Sequence, residues 1–418
     1  MDKFVIEGGT PLRGKVKVSG AKNAALPLMV ACLLTEGKCQ LENIPHLADI
    51  TTMKKMLEGL GVEIEEKNGM LEVNSVPLFK YEAPYDLVRM MRASILLLGP
   101  LLARLRYARI SLPGGCNIGR RPIDLHLKGL SQMGAQIEVK GNYIEARARK
   151  GLKGENIYLD LPSVGATENI MLAASLAKGK TIIKGASRAP EIVDLANLLR
   201  KMGGKIKGAG TNLIEIEGVR ELHPVKYSII PDRIEAGTLL IAGAITKGDV
   251  TVEEARFDHL KTFLEKLNEM KIEVDVMENA LRVNGGDTFR PVNIKTLPYP
   301  GFPTDLQPQL TALACLVQGT STIIETIFET RFAHISELQR MGAQVVKKES
   351  KVLIKGVPLL KGTTVKAFDI RGGAALVLAG LAAEGKTEVL CIHHIDRGYE
   401  KLEEKLSKLG AKIKRVKE

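Results

Sequence analysis

Leu60-Gly61-Val62-Glu63-Ile64, Met133-Gly134-Ala135-Gln136-Ile137, Met202-Gly203-Gly204-Lys205-Ile206, Met270-Lys271-Ile272-Glu273-Val274, Met341-Gly342-Ala343-Gln344-Val345 and Leu409-Gly410-Ala411-Lys412-Ile413 are six versions of one junction. Their second residues stand 73, 69, 68, 71 and 68 positions apart. In five of them Gly follows a helical run, the usual C-cap, and a β-branched run then leaves as a strand. Between junctions the chain repeats an apolar helix, a Gly turn, a short β-rich run, a polar loop and a second helix. Near-equal steps of this kind mark an internal repeat. The 418 residues therefore read as an α/β protein of two domains with three units each. The seam is expected near Tyr227-Ser228-Ile229-Ile230-Pro231-Asp232. A strand-like segment from Met1 to about Gly20 precedes the first unit and pairs with either domain.

Composition narrows the function. Apolar residues at 45% and charged residues at 26% are ordinary globular values. The net charge of +12 permits nucleic-acid binding, but aromatics are only 4% and Trp is absent, so stacking platforms lack support. Small anionic substrates account for the charge equally well, as does a solvated basic surface. The five cysteines are scattered and odd in number, which fits a reducing compartment. Cys32 and Cys315 in helical runs, with Cys39 and Cys391 in strand-like runs, read as core. The apolar stretch Ala93 to Ala103 contains Pro100 and is too short to span a bilayer. The N-terminus lacks a signal-peptide pattern, so a cytoplasmic location and no membrane insertion are expected. His393-His394 on a strand would point to opposite faces, which leaves no metal site expected. Gly380 to Thr387 matches the P-loop spacing, but a helix precedes it and a strand follows, the reverse of what a P-loop requires.

Chemistry gathers at two points of the repeat. The starts of the apolar helices hold Lys22-Asn23, Arg92, Ala166-Thr167-Glu168, Glu235-Ala236-Gly237, Thr304-Asp305 and Arg371-Gly372-Gly373. Those helices are apolar nearly all round and should be buried, with orphan N–H groups favouring anions at their starts. The loops after the short strands hold Asp49, Arg188, Arg256, Glu329-Thr330-Arg331, Asp396-Arg397 and Pro113-Gly114-Gly115-Cys116-Asn117-Ile118-Gly119-Arg120-Arg121-Pro122. A thiol beside fixed positive charge tends toward the thiolate and can serve as nucleophile or proton donor. Guanidiniums on such loops suit a phosphorylated or carboxylated ligand. Asp305, at the end of the Pro300 and Pro303 run, reads either as a helix cap or as a rigidly held general base.

Ser19-Gly20-Ala21-Lys22-Asn23-Ala24-Ala25, the Cys116 loop with Arg121-Pro122-Ile123-Asp124-Leu125-His126, and Ser163-Val164-Gly165-Ala166-Thr167 carry a resemblance. So do Phe302-Pro303-Thr304-Asp305, Arg331-Phe332, Asp369-Ile370-Arg371 and Asp396-Arg397-Gly398-Tyr399-Glu400. Over essentially its whole length the chain resembles the UDP-N-acetylglucosamine 1-carboxyvinyltransferases, the enolpyruvyl transferases that commit sugar nucleotide to peptidoglycan. The resemblance implies two inside-out α/β barrel domains, each a pseudo-three-fold repeat of a βαβαββ unit, with an active-site cleft between them. Residues 22–229 would form the first domain, and residues 1–21 with 230–418 the second.

It also implies that the enolpyruvyl group of phosphoenolpyruvate moves to the 3-hydroxyl of UDP-N-acetylglucosamine by addition and elimination, with release of phosphate. Cys116 matches the proton donor that also forms a covalent adduct, and Asp305 the group at the sugar hydroxyl. Lys22, Arg121 and Arg397 match the phosphate clamp, Lys22 and Arg397 counting with Cys116 and Asp305 as catalytic. Arg331 and Arg371 match residues around the carboxylate, and Arg92 and Asp369 further polar positions of the site. The phosphoenolpyruvate set is thus Lys22, Arg92, Arg121, Arg331, Arg371 and Arg397. The sugar-nucleotide set is Lys22, Asn23, Arg92, Arg121, Pro122, Ile123, Asp124, Leu125, Ser163, Val164, Gly165, Asp305 and Ile327. No cofactor, metal or nucleic-acid partner is implied. Arg120 stands where many relatives carry a small residue, and Asp160-Leu161-Pro162 where some place a Lys near the diphosphate. With Cys116 in place of the Asp of some members, the epoxide antibiotic fosfomycin is expected to inactivate the protein. The same fold also hosts the shikimate-3-phosphate enolpyruvyl transferases, which need no loop cysteine.

Overall fold

The computed structural model describes residues 2–67, 69–114, 123–286 and 288–417. The chain divides between Ser19 and Gly20, and again between Ile230 and Pro231, into two compact units. Each unit carries three sheets, each built on the antiparallel strands of one repeat.

In the unit that begins at Gly20, Lys38–Glu42 pairs antiparallel with Met70–Asn74, which pairs with Glu63–Lys67, while Lys226–Ser228 adds in parallel. Tyr107–Ser111, Tyr143–Arg147 and Gln136–Lys140 repeat the antiparallel core. Lys180–Lys184 does so with Leu213–Glu217 and Lys205–Lys207, and takes Asn156–Tyr158 as its parallel partner. The other unit builds the same sheet around Asp249–Glu253 and around Thr320–Ile324. Its third sheet is completed by the N-terminus: Lys3–Glu7 lies antiparallel between Lys386–Leu390 and Lys412–Val416. A second N-terminal strand, Arg13–Lys17, runs parallel beside Asp249–Glu253. The leading segment is therefore two strands rather than one, because the Gly8-Gly9 turn breaks it.

The sheets surround helices that are buried nearly all round. In one unit these are Lys22–Ala31, Leu98–Leu105 and Val164–Ala174. In the other they are Arg233–Ile245, Gln307–Ala314 and Ile370–Ala382, which pack on one another. With helices inside and sheets outside, each unit is an inside-out α/β barrel. Outward helices such as Pro190–Lys201 and Lys261–Glu269 show one buried and one exposed face instead.

The six junctions share one backbone geometry. Gly61, Gly134, Gly203, Gly342 and Gly410 have φ of 98°, 96°, 103°, 96° and 97°, the left-handed cap that a Cβ disfavours. The fourth junction takes that turn with Lys271 at φ 63°. The P-loop look-alike is such a turn too: helix Ile370–Ala382 ends, Gly385 turns at φ 85°, and Lys386–Leu390 leaves as a strand.

Three local expectations are overturned. His393 and His394 are not on a strand, since Cys391 turns left-handed at φ 59° and a 3-10 helix spans Ile392–Arg397. Their rings lie in a tilted contact with centroids 4.2 Å apart. The same turn removes Cys391 from the strand, and it is half-exposed rather than core. Asp49 is not in a loop but in the first turn of the helix Ala48–Gly59.

Candidate active site

Charged groups are buried at several helix starts, and in the C-terminal unit Asp305 meets two buried arginines, Arg331 and Arg371. Pro303 is the N-cap residue before a 3-10 turn, Thr304–Leu306, that feeds the helix Gln307–Ala314. Asp305 sits within that turn and makes no cap hydrogen bond. Instead, Arg331 Nη1 lies 2.7 Å from its Oδ1, while Arg371 Nη2 and Nε donate to its Oδ2 at 3.0 and 3.2 Å. The capping alternative for Asp305 is therefore wrong. Asp369 does cap, accepting from the Arg371 and Gly372 amides at 2.9 Å each.

Arg331 and Arg371 are 4% and 2% exposed, so their charges are scarcely screened by water. Burial alone would raise the Asp305 pKa, but the two guanidiniums outweigh it and hold the carboxyl well below the usual range. Burial alone would lower the Arg371 pKa, but Tyr399 and Asp305 reverse this and push it up. Two cations thus share one anion at this spot.

Each guanidinium rests on its own support. Arg371 lies over the buried Tyr399 ring at 5.1 Å, and Gln309 Nε2 donates to the Tyr399 hydroxyl at 2.8 Å and to the Asp305 carbonyl at 3.0 Å. Arg331 Nη1 also donates to Thr304 Oγ1 at 2.9 Å. The buried His334 is kept neutral, with its pKa lowered to about 4 chiefly by burial. Ile327 follows the strand Thr320–Ile324 by three residues, and its amide donates to Glu325 at 2.8 Å. Arg397 ends the 3-10 helix Ile392–Arg397, half-buried.

In the unit that begins at Gly20, Lys22 opens the helix Lys22–Ala31 and its ammonium lies 3.2 Å from Asp49 Oδ2, both side chains buried. Asn23 beside it is exposed. Arg92 starts the 3-10 helix Arg92–Leu97, half-buried. Ile123 precedes the helix Asp124–Gln132, and Leu125 is its second residue. Ser163 caps Val164–Ala174 by accepting from the Ala166 amide at 3.3 Å. These two helix starts meet: a Cβ on Gly165 would fall 3.1 Å from the His126 ring. The ring is buried, accepts at Nδ1 from Asn169 Nδ2 at 3.2 Å, and has its pKa lowered to about 3 by burial and then by Arg92. Ile123 to Leu125 and Ser163 to Gly165 are thus brought together, with Val164 exposed. Asp160, where some relatives place a Lys, accepts from Lys128 at 3.0 Å. Cys116, Arg120, Arg121 and Pro122 lie outside the described residues.

The sequence pattern missed Glu325, Gln309 and the Thr304 hydroxyl. No sequence signal marked Glu325; only the backbone sets it apart. At its place after the first strand of the repeat, Asn43, Gly185, Glu254 and Cys391 take left-handed backbone at φ 57°, 73°, 61° and 59°, and Glu325 does not.

Among the described residues no helix is long and apolar enough to cross a membrane, and no cluster of three or more His, Cys, Asp or Glu is placed to hold a metal. Paired guanidiniums fixed in a protein interior around one carboxylate have the charge and geometry that suit oxyanions. The family description for EPSP synthase (3-phosphoshikimate 1-carboxyvinyltransferase) matches residues 6–406, and the chain belongs to this family.

Its relatives sharpen the assignment. A UDP-N-acetylglucosamine 1-carboxyvinyltransferase 2 from Carboxydothermus hydrogenoformans is 56% identical over 418 residues, all of both chains. A UDP-N-acetylglucosamine 1-carboxyvinyltransferase 1 from Caldanaerobacter subterraneus subsp. tengcongensis is 54% identical, with 99% of each chain covered. Among solved structures, the enolpyruvyl transferase NikO from Streptomyces tendae superposes with a TM-score of 0.91 at 26% identity over 99% of both chains. EPSP synthase from Acinetobacter baumannii gives 0.80 at 20% over all of both, a likeness of fold alone.

Proposed function

We propose that the chain transfers the enolpyruvyl group of phosphoenolpyruvate to the 3-hydroxyl of UDP-N-acetylglucosamine with release of phosphate, the first committed step of peptidoglycan synthesis, in the cytoplasm. The observation that carries the reading is the cluster of half-buried Asp305 with buried Arg331 and Arg371, in a chain more than half identical over its length to transferases named for that sugar nucleotide. Both substrates are small anions, which suits this cluster and the buried Lys22.

The roles are those that the family resemblance implies. Cys116 delivers a proton to the enol carbon, and Asp305 takes one from the sugar hydroxyl. Arg331 and Arg371 hold the substrate carboxylate, and Lys22, Arg121 and Arg397 answer the phosphate. Arg92 serves both substrates. Asn23, Pro122, Ile123, Asp124, Leu125, Ser163, Val164, Gly165 and Ile327 line the sugar nucleotide.

A carboxylate flanked by two guanidiniums is a poor base, because its charged form is so strongly favoured. The incoming carboxylate resolves this by competing with Asp305 for the same two partners. As it takes them, Asp305 loses its stabilising charges, and its basicity rises where the sugar hydroxyl arrives. Substrate binding and base activation become one event.

The test is phosphate release from phosphoenolpyruvate with UDP-N-acetylglucosamine or with shikimate 3-phosphate as acceptor. Release with only the sugar nucleotide is expected, together with progressive inactivation by fosfomycin. Release with only shikimate 3-phosphate would transfer the chain to the other branch of the family.

A further inference from the structure

Glu325 is 1% exposed and has no cation beside its carboxylate among the described ion pairs. Its two oxygens are satisfied by neutral donors instead. Oε1 accepts from Thr296 Oγ1 at 2.7 Å, the Ile327 amide at 2.8 Å and the Phe328 amide at 3.2 Å. Oε2 accepts from Thr304 Oγ1 at 2.8 Å. A buried carboxyl group needs hydrogen bonds in place of its water, and this one gathers a strand end, the Thr304–Leu306 turn and the turn leading to Arg331.

The direction of one bond decides what this arrangement does. A threonine hydroxyl has a single proton. Thr304 gives it to Glu325 Oε2, so a lone pair of Thr304 Oγ1 faces Arg331. Arg331 Nη1 donates into that lone pair at 2.9 Å and to Asp305 at 2.7 Å. The order Arg331 to Thr304 to Glu325 fixes the guanidinium plane from behind. Resting on the reading above, we infer that Glu325, acting through Thr304, is a positioning residue that orients Arg331 toward the substrate carboxylate.

The backbone supports this specialisation. Glu325 N donates to Ser350 O at 2.8 Å, as Glu254 N donates to Asn279 O at 2.7 Å in the preceding repeat. The two positions are equivalent, yet Glu254 is exposed and left-handed while Glu325 is buried and is not. The same repeat position is turned outward in one case and inward, behind the arginine, in the other.

The test uses Thr304→Val, Thr304→Ser and Glu325→Gln in the full chain. Valine keeps the volume but removes the relay. Glutamine keeps an oxygen for Thr296, Ile327 and Phe328 but turns an NH2 group toward Thr304, which reverses that bond. KM for each substrate and kcat are measured with thermal unfolding, and rotation of the Arg331 guanidinium is followed by NMR without substrate. Thr304→Val and Glu325→Gln are expected to raise KM for phosphoenolpyruvate about tenfold, the loss of one hydrogen bond to a charged group. KM for the sugar nucleotide should stay within about twofold, Thr304→Ser should behave as the parent, and Arg331 should rotate faster in the two defective variants. A common rise in both KM values, or no change in either, would overturn the inference. If the parent released phosphate with neither acceptor, the function would fail separately, and guanidinium rotation would still decide: faster in both variants supports the relay, unchanged refutes it.

Discussion

Asp305 and Asp369 occupy like places in successive repeats, each just before or at the start of a buried helix, and they do opposite things. Asp369 spends its carboxylate on two backbone amides and stays a structural cap. Asp305 leaves its helix start without a side-chain cap and turns to two buried guanidiniums. The local difference is the turn: Thr304–Leu306 is a 3-10 segment entered from Pro303, whereas Asp369 is extended and leads straight into the helix Ile370–Ala382. One repeat position therefore supplies either stability or chemistry, depending on which donors the fold brings within reach.

The sharpest break of this comparison is Asn substitution at both sites. Asp305→Asn is expected to reduce kcat for phosphate release by about 10²- to 10⁴-fold, the usual weight of a general base. It should also lower stability by up to about 3 kcal/mol, because two buried guanidiniums lose their common anion. Asn caps helices as well as Asp, so Asp369→Asn should move stability by less than about 0.5 kcal/mol. Kinetics with chemical denaturation of both variants checks this.

Acid separates the carboxylate from the buried histidines. Asp305 has a depressed pKa, so its contribution is present above the ordinary carboxylate value and is lost only as pH falls far below it. His126 and His334 are also depressed, to about 3 and about 4, so each favours folding above its unfolded pKa near 6.5. That contribution disappears as pH falls from there toward the folded value. Each histidine should cost up to about 1.4 kcal/mol per pH unit in this window. Stability curves between pH 7 and 4 should be flatter for His126→Gln than for the parent, while Asp305→Asn should keep the parent's slope.

Removing the cap itself is a smaller effect. Asp369→Ala should cost about 1 kcal/mol, read as a shift in the unfolding midpoint. Smaller still, Lys271→Gly should stabilise by up to about 1 kcal/mol, since the other five junctions use Gly for this left-handed turn. No change would mean that Lys271 makes compensating contacts.

Much of this was legible in the sequence because periodic features are local. The Gly61, Gly134, Gly203, Gly342 and Gly410 stops mark helix ends, and the all-apolar runs mark buried helices whatever their partners. The inward arginines were legible only through the two repeat positions where charge gathers, Arg331 in a loop after a short strand and Arg371 at a helix start. What Asp305 faces was not, because capping and ion pairing start from the same residue and differ only in long-range donors. Glu325 was invisible for a related reason: a Glu after a strand is ordinarily solvated, as Glu254 is. The His393-His394 turn was missed because a left-handed Cys391 has no strong sequence signature.

The most direct test of the account is the ionisation of the Asp305 carboxyl, followed by ¹³C NMR with and without phosphoenolpyruvate. Without it, the carboxyl should stay ionised at every pH the fold survives. With it bound, its titration should move up into the range where a carboxylate can accept a proton. An Asp305 signal that ignores phosphoenolpyruvate would contradict the exchange of partners at Arg331 and Arg371.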